Sequence, residues 1–489
     1  MYLFKFICII ILSLTASGYS VAQNFNSQKL YDMFENYKES EIFNKRFSHE
    51  NIVPYFRKFE PNSLFRFRVI GRSLEGREIT MISFGSGPVN ILAWSQMHGD
   101  ESTATMALVD VMNFFIADDE FNEIRKEILE NVTINLIPML NPDGAEKYRR
   151  RNALNIDLNR DALRLQFPES RALKSVRDSL DADFGFNLHD QSTRYTVGYS
   201  YKSAALSFLA PAFNYEKDIN EVRENTMKVI VNIHDELSKF IPGHMARYDD
   251  EFEPRAFGDN FVKWGTSSIL IESGGWKNNY EKQFIRKMNF VALLVGFQSI
   301  AGRYYEKADI DDYISIPENK QRLFDLLLRN ASVEYDGVKY LIDIGINQHE
   351  KGTKDSRDDY FKSTIDDVGD LSTYFGYDEY DLEGMTVAPG KVFEEPFDSL
   401  QSLEDVDFQD LHRNGYTCIK LETMPEDLHS VPFPIDILTS DEEDDPGFGE
   451  NRAANFIIHK DGDVRFVVIN GFMIDLLSGK GDVVNGIVR

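Results

Sequence analysis

The chain has 489 residues, of which 42% are hydrophobic and 27% are charged, and its formal net charge is −27. This length exceeds what one hydrophobic core usually organises, so we expect two domains that each bury a core of their own. The negative charge argues against nucleic-acid binding, because a polyanion would be repelled and no basic stripe with interleaved aromatic residues occurs.

The first 22 residues have the organisation of a secretory signal peptide. Lys5 precedes an apolar run from Phe6 to about Leu14, and small residues follow up to Ala22, which predicts cleavage after Ala22. A transmembrane anchor is the alternative, but it needs about 20 continuous apolar residues, and polar or small residues interrupt this run between 15 and 18. We therefore expect an exported protein that makes no stable membrane insertion after the signal is removed.

The cysteines are consistent with export by a bacterium. Cys8 lies inside the predicted signal, so the mature chain keeps only Cys418 and forms no internal disulfide. A large core needs no such cross-link. The sequence thus favours a periplasmic or secreted bacterial protein over a disulfide-rich animal secretion.

Strand-like and helix-like segments alternate between about residues 65 and 305. Four runs rich in apolar and β-branched residues predict strands, at 78–85, 89–96, 131–140 and 267–273. Helical spacing of apolar residues predicts helices at 104–117 and 282–305. This alternation predicts an α/β sheet sandwiched by helices, with ligands bound beyond the carboxyl ends of its strands.

The pattern changes after residue 308. Short alternating stretches predict strands at 334–346, 415–422 and 455–474, and "HKDGD" at 459–463 predicts a hairpin turn. We expect a catalytic domain over 23–308 and a smaller, mainly β accessory domain over 309–489. The acidic run "SDEEDDPG" at 440–447 is interpreted as a solvated loop, since it lacks the spaced carboxylates and central glycine of an EF-hand calcium site.

A candidate metal site begins in "QMHGDESTA", residues 96–104. His98 and Glu101 stand three positions apart where a strand-like run ends, a pair that also occurs as an ordinary polar junction. A catalytic zinc ion takes three protein ligands and leaves one position for water. His189 follows the apolar segment of "FGFNLHDQ". It is the best third ligand, because the sequences around the other histidines are less typical of a metal site.

The segment between these ligands carries a family resemblance. "NPDGAEKYRRRNALNIDLNRD" occupies 141–161, and Glu272 follows in "ILIESGG". The ordered set of His98-x-x-Glu101, "NPDG", an arginine cluster, "DLNR", His189 and Glu272 resembles the carboxypeptidase A family of zinc metallocarboxypeptidases, over about residues 65–305. The resemblance implies a mixed sheet and one zinc ion per chain, held by His98, Glu101 and His189.

The resemblance also implies roles around the metal. Glu272 would be the general base, with a buried ion-paired glutamate as the alternative. Arg150 would stabilise the oxyanion, although Arg149 and Arg151 stay open because the register is uncertain by one. Asp157 would orient the first ligand histidine.

Substrate binding is implied for three further residues. Asn159 and Arg160 would hold the terminal carboxylate of a substrate, a task suited to a planar guanidinium. Tyr248 stands at about the distance before the base at which the family carries a capping tyrosine, but the residues around it do not match.

The sequence therefore predicts a metallocarboxypeptidase that acts on peptides with a free C-terminal carboxylate. One alternative is a zinc amidase or deacylase of the same fold, acting on acyl-amino acids or peptidoglycan stem peptides. Another is a non-catalytic binding protein. The sequence does not indicate the preferred C-terminal side chain, the physiological substrate, the oligomeric state or the role of the C-terminal domain.

Overall fold

The structure is a computed structural model that describes residues 26–352, 359–425, 428–438 and 448–489. The predicted signal peptide at 1–22 and the acidic run at 440–447 lie outside these residues. Within them the chain forms an α/β domain, which we call the catalytic domain after its predicted role, and a β-rich C-terminal region, so the predicted fold class is confirmed.

The catalytic domain is built on a mixed sheet of eight of the described strands, in the order β1-β2-β4-β3-β5-β9-β7-β8. The eight strands are β1 Arg66–Arg72, β2 Glu78–Gly85, β3 Val89–Trp94, β4 Val132–Ile137, β5 Phe184–Asp190, β7 Leu206–Leu209, β8 Met245–Arg247 and β9 Ser267–Ser273. Strand β6, Tyr195–Val197, lies outside this sheet. β4, β3, β5 and β9 run parallel to one another, and β7 and β8 are also a parallel pair. The pairs β1–β2, β2–β4 and β7–β9 are antiparallel.

Helices cover both faces of this sheet. They are α1 Ser27–Asp32, α2 His49–Arg57, α3 Thr103–Ile116, α4 Asn122–Asn131, α5 Pro142–Glu146, α6 Pro168–Leu180, α7 Glu221–Leu237, α8 Phe257–Lys263, α9 Gln283–Ala301 and α10 Ile310–Ser315. Alternate residues of β3 enter different cores: Ile91 and Ala93 join one apolar cluster, and Leu92 and Trp94 join the other. A strand buried on both faces needs a continuous apolar run rather than alternation, which is what β3 has.

Helix α9 packs on α3 and α7 in the larger core. Among the described residues it is the helix that is long and apolar enough to cross a membrane by length and composition, and 89% of its apolar window is buried inside the structure. Its apolar character is therefore explained by its place in the core.

The segment after the predicted domain boundary at 308 still packs on the catalytic domain. Tyr313 of α10 and Ile316 are buried in the larger core, and the Tyr313 hydroxyl accepts a hydrogen bond from the Ala210 N–H at 3.0 Å. Strand β10, Asn319–Gln321, pairs with β6. The chain thus leaves the catalytic domain after residue 321.

The C-terminal region contains a second sheet, in which β13-β12-β11-β15-β20-β21-β22 are neighbours and β14 pairs with β11. Its described elements are β11 Leu323–Tyr335, β12 Val338–Gly352, β13 Asp359–Gly369, β14 Phe375–Asp381, β15 Thr386–Pro389, β16 Lys391–Phe397, α11 Phe408–Arg413, β17 Tyr416–Leu421, β18 Ser430–Val431, β19 Asp436–Leu438, β20 Phe456–Lys460, β21 Asp463–Ile469, β22 Phe472–Asp475 and β23 Gly486–Ile487. The predicted hairpin joins β20 to β21, and both turn residues, Asp461 and Gly462, have positive φ, as a type I′ turn requires.

Candidate metal centre

Two predicted ligands, His98 and Glu101, lie in the loop between β3 and α3, where their side chains are buried. This loop packs backbone to backbone on α5, because a Cβ atom on Gly99 would lie 2.1 Å from the carbonyl carbon of Gly144. Asn141 fixes the contact: its Oδ1 accepts from the Gly144 N–H at 3.0 Å, and its Nδ2 donates to a carbonyl of the loop at 3.3 Å. The "NPDG" motif therefore supports the first two ligands.

The third predicted ligand, His189, lies near the end of β5 and is also buried. Its Nδ1 is 3.1 Å from Nδ1 of His98 and 2.6 Å from Oε2 of Glu101. The Nδ1 of His98 is 2.8 Å from Oε1 of the same glutamate. Candidate ligand atoms from the three residues all lie within 4.8 Å of one another, so the fold brings together three residues separated in sequence.

This donor set fits a divalent metal ion. Two imidazole Nδ1 atoms that face each other at 3.1 Å make a favourable contact only when a proton or a cation lies between their lone pairs. Two histidines and one carboxylate are also the donors of known catalytic zinc sites. His98, Glu101 and His189 would therefore hold the ion.

Asp157 and Arg150 enclose the first ligand. Oδ1 of Asp157 is 3.0 Å from Nε2 of His98, which fixes the orientation of the imidazole ring. Arg150 donates to Glu101 at 3.0 Å and to Asp157 at 3.2 Å. Its side chain is 44% exposed, so it contacts both carboxylates and is still accessible from solvent.

The structure distinguishes the three neighbouring arginines. Arg149 donates to the carbonyl oxygen of Asn152 at 3.2 Å, and Arg151 donates to the carbonyl oxygen of Asn155 at 3.1 Å. These contacts lie within the loop itself. Of these three arginines, Arg150 is the one that donates to the Glu101 carboxylate.

The ionisable groups of the pocket shift one another's pKa values. Burial lowers the pKa of His98, but the carboxylates of Glu101 and Asp157 outweigh it and raise this pKa to about 9. Burial raises the pKa of Asp157, yet the hydrogen bond from His98 and the charge of Arg150 bring it well below its usual range. The Asp157 carboxylate is therefore ionised at neutral pH.

Glu272 is the next-to-last residue of β9 and lies beside the candidate metal pocket. It is opposite His189 in the parallel register of β5 and β9, and its side chain is half-buried. Burial and the negative charge of Glu101 raise its pKa well above the ordinary value. A carboxyl group with raised proton affinity, next to a metal pocket, has the placement that a general base needs.

Lys282 was not selected from the sequence, but it connects the strands that carry His189 and Glu272. Its buried Nζ donates to Oδ2 of Asp190 and to the carbonyl oxygen of Ser273, both at 3.0 Å. No local pattern marks this lysine, since its partners are 92 and 9 residues away.

Asn159 and Arg160 lie on one 3-10 turn, Leu158–Arg160, which directly follows Asp157. Oδ1 of Asn159 accepts from the Phe257 N–H at 2.8 Å, which leaves its amide nitrogen as the group for a ligand. Arg160 is 38% exposed, and its Nε lies 3.4 Å from Oε2 of Glu253. Arg255 donates twice to the same carboxylate, at 2.9 and 2.7 Å, so Glu253 is shared by two arginines.

Tyr248 is the last predicted site residue. Its ring lies 6.3 Å from the ring of Tyr195 in an edge-on arrangement. Burial and the negative charge of Glu272 raise its pKa, so the phenol stays protonated within electrostatic range of the predicted base. The structure therefore brings Tyr248 near Glu272 and Glu101, together with Tyr195, which the sequence did not suggest.

Comparison with known proteins is consistent with this geometry. Residues 55–234 match the family described as zinc carboxypeptidase. Carboxypeptidase SOL1 of Arabidopsis thaliana is 31% identical over 134 residues, which are 24% of this chain and 27% of that protein. Probable carboxypeptidase 2 of Trichophyton verrucosum is 25% identical over 270 residues, 54% of this chain and 48% of that protein.

These alignments span about half or less of the relatives' lengths. Among solved structures, a metallo-carboxypeptidase from Burkholderia cenocepacia aligns over 54% of this chain and 71% of its own, with 15% identity and a TM-score of 0.43. The family match begins before the His98 loop and extends beyond His189. Residues 55–234 of the chain are thus similar to the zinc carboxypeptidase family.

Proposed function

We propose that the protein is a zinc-dependent metallocarboxypeptidase that removes the last residue of peptides. One observation carries the proposal: the buried donors of His98, Glu101 and His189 meet at one point, with a carboxyl group and an arginine beside them. Zinc bound there would polarise a peptide carbonyl and activate a water molecule. The finer assignments below are part of the proposal.

Each surrounding residue has a task in this reaction. Glu272 accepts a proton from the attacking water and passes it to the leaving amine. Arg150 is accessible from solvent while anchored to Glu101, and its charge stabilises the oxyanion that forms on the carbonyl oxygen. Asp157 keeps the His98 ring in place.

In this proposal, the exposed residues around Arg160 recognise the substrate. Arg160 and the amide nitrogen of Asn159 bind the terminal carboxylate, which limits cleavage to the last peptide bond. Tyr248 covers the bound residue. The protonated phenol supports this role, because a neutral hydroxyl donates hydrogen bonds without repelling a carboxylate.

A peptide panel with varied last residues tests the proposal. We expect release of the C-terminal amino acid alone, complete loss of activity with a chelator, and recovery when zinc is added back. Cleavage restricted to short acyl-amino acids or to stem peptides would indicate the amidase alternative. Binding without hydrolysis would indicate a non-catalytic protein, and cleavage at internal bonds would contradict an exopeptidase.

Export is a second part of the proposal. It is supported by the basic residue, apolar run and small residues of the first 22 positions. N-terminal sequencing of the protein from the periplasm or medium of a bacterial host should begin at Gln23. An intact N-terminus in the cytoplasm would contradict export.

A further inference from the structure

The C-terminal domain contacts the two loops that follow the active-site strands β5 and β9. We name residues 191–194 the ligand loop, because it follows His189, and residues 274–282 the base loop, because it follows Glu272. In the ligand loop, Arg194 donates to Asp325 at 3.0 and 2.8 Å and to the carbonyl oxygen of Gln348 at 2.8 Å. These three bonds fix the end of the loop to β11 and β12.

The base loop is held from the same side. Nζ of Lys277 donates to Oδ1 of Asp378 at 2.7 Å and to the carbonyl oxygen of Tyr377 at 2.8 Å. Both acceptors belong to β14. Since Lys277 and Asp378 are each about half exposed, this ion pair contributes little energy by itself. Its importance is that it brings Tyr377 over the loop.

Tyr377 reaches both loops with one hydroxyl group. Its Oη donates to the carbonyl oxygen of Thr193 at 2.6 Å. A Cβ atom on Gly275 would lie 2.3 Å from the same Oη and 2.7 Å from the Thr193 carbonyl oxygen. The hydroxyl therefore occupies the space between the loops, and residue 275 has no room for a side chain.

This contact explains the second glycine of "ESGG", which the proposed chemistry leaves without a role. Gly275 has a negative or extended φ, unlike the glycines with positive φ, so its backbone conformation does not require glycine. The close approach of Tyr377 and Thr193 does. A short motif of the catalytic domain is thus shaped by a side chain of the C-terminal domain.

We propose that Tyr377 is a positioning residue of the active site, holding the ligand loop and the base loop at a fixed separation. This inference rests on the proposed hydrolysis. Thr193 follows His189 by four residues and Gly275 follows Glu272 by three, so a displacement of either loop moves a ligand or the base. A misplacement of about 1 Å in a reacting group costs on the order of 100-fold in rate.

The last residue of the base loop, Lys282, connects the loop to the active-site strands. Lys282 donates to Asp190 and to the carbonyl oxygen of Ser273, the residues next to His189 and Glu272. The loop is therefore tied at one end to the active-site strands and along its length to β14. The C-terminal domain acts on catalysis through this loop, without touching the substrate.

Tyr377→Phe removes the hydroxyl and keeps the ring. Tyr380→Phe is the matched control, because Tyr380 lies on the same strand and lines the same interdomain cavity of about 460 Å³. It is 40% exposed. Both variants are made in the full zinc-loaded protein, and each is compared with wild type by hydrogen–deuterium exchange, zinc content and steady-state kinetics on a free-acid peptide.

We expect faster exchange in peptides covering 191–194 and 274–282 for Tyr377→Phe, with zinc content unchanged. The kcat should fall about tenfold while KM stays within about twofold, because substrate contacts are intact. Tyr380→Phe should behave as wild type. Wild-type exchange or wild-type kcat in Tyr377→Phe would overturn the inference, as would an equal effect of the control.

Two further outcomes are distinguishable. If Tyr377→Phe lost its cooperative thermal transition, Asp325→Asn would replace it, and the same results are expected. That change removes the charge that holds Arg194 and keeps an amide oxygen that can still accept from the Gln348 N–H. If wild type cleaved no peptide, the proposed function would fail. The exchange comparison alone would then decide whether Tyr377 orders the two loops.

Discussion

Two regions of the candidate site differ in how far their charged side chains are exposed to solvent. They are the metal pocket and the exposed edge around Arg160, which is proposed to bind the substrate carboxylate. In the pocket, His98, Glu101 and His189 are at most 7% exposed and contact one another. At the edge, the side chains of Arg160 and Arg255 are 38% and 56% exposed. Charges out of water interact strongly, whereas solvated pairs are screened and weak. Under the proposed function, the chemistry takes place in a rigid buried region, and substrate recognition in an exposed region whose side chains can adjust.

The largest effect on activity is expected from removing one of the proposed metal ligands. His98→Ala removes one metal donor and leaves Glu101 and Asp157 without their shared partner. Metal analysis should find about one zinc per wild-type chain and almost none in the variant, with activity lost. His234→Ala, on α7 and 29% exposed, is the control and should keep the metal. Equal zinc in His98→Ala and wild type would contradict the ligand assignment.

The next effect tests the chemistry of the pocket without emptying it. Glu272→Gln keeps the size of the side chain but cannot accept the proton of water, so kcat should fall by about 10²- to 10⁴-fold while zinc content is unchanged. Glu236→Gln on α7 is the control. Near-normal turnover in Glu272→Gln would mean that Glu272 has only a structural role.

At the exposed edge, Arg160→Ala should lose the preference for a free C-terminal carboxylate. Loss of a charge-assisted contact costs about 2–4 kcal/mol, which is roughly 30- to 1000-fold in kcat/KM. The kcat/KM of a peptide and its C-terminal amide would be measured for wild type, Arg160→Ala and Arg164→Ala. Arg164 is an exposed neighbour in the same loop. Equal hydrolysis of acid and amide by wild type would refute the role of Arg160.

The smallest effect concerns Glu253, the carboxylate that lies beside Arg160. Glu253→Gln frees Arg160 from a solvated carboxylate, so KM for a free-acid peptide should decrease by up to about threefold with kcat unchanged. The effect should vanish at high salt, because solvated charges are screened. Glu251→Gln, an exposed glutamate of the same loop, is the control. A large fall in kcat instead would place Glu253 among the groups that act on the reaction.

The sequence predicted the parts of the site that have local signatures. β2 and β9 begin and end at the predicted residues, because apolar runs bounded by turns specify buried strands. The order of the motifs selected His98, Glu101, His189 and Glu272, and the fold brings them together. Which of three adjacent arginines faces the pocket depended on a turn whose path sequence spacing does not fix.

The contacts that sequence reasoning missed join distant segments. Tyr377 and Thr193 are 184 residues apart, and neither lies in a motif that indicates the other. Helix α10 follows the predicted boundary at 308 yet packs on the catalytic core through Tyr313, since a short amphipathic helix gives no sign of the domain it joins. Long-range packing, unlike periodicity, has no signature in a single sequence.

The separation of the metal donors along the chain affects how the protein matures. His98 and His189 are 91 residues apart, and they meet only after β5 has paired with β3. A chain emerging from the ribosome or a translocation channel therefore has no assembled site until most of the catalytic domain has been released. We expect zinc to enter a nearly finished sheet rather than to nucleate it, and apoprotein to be the first folded species. The compartment in which folding is completed would then determine which metal the protein acquires.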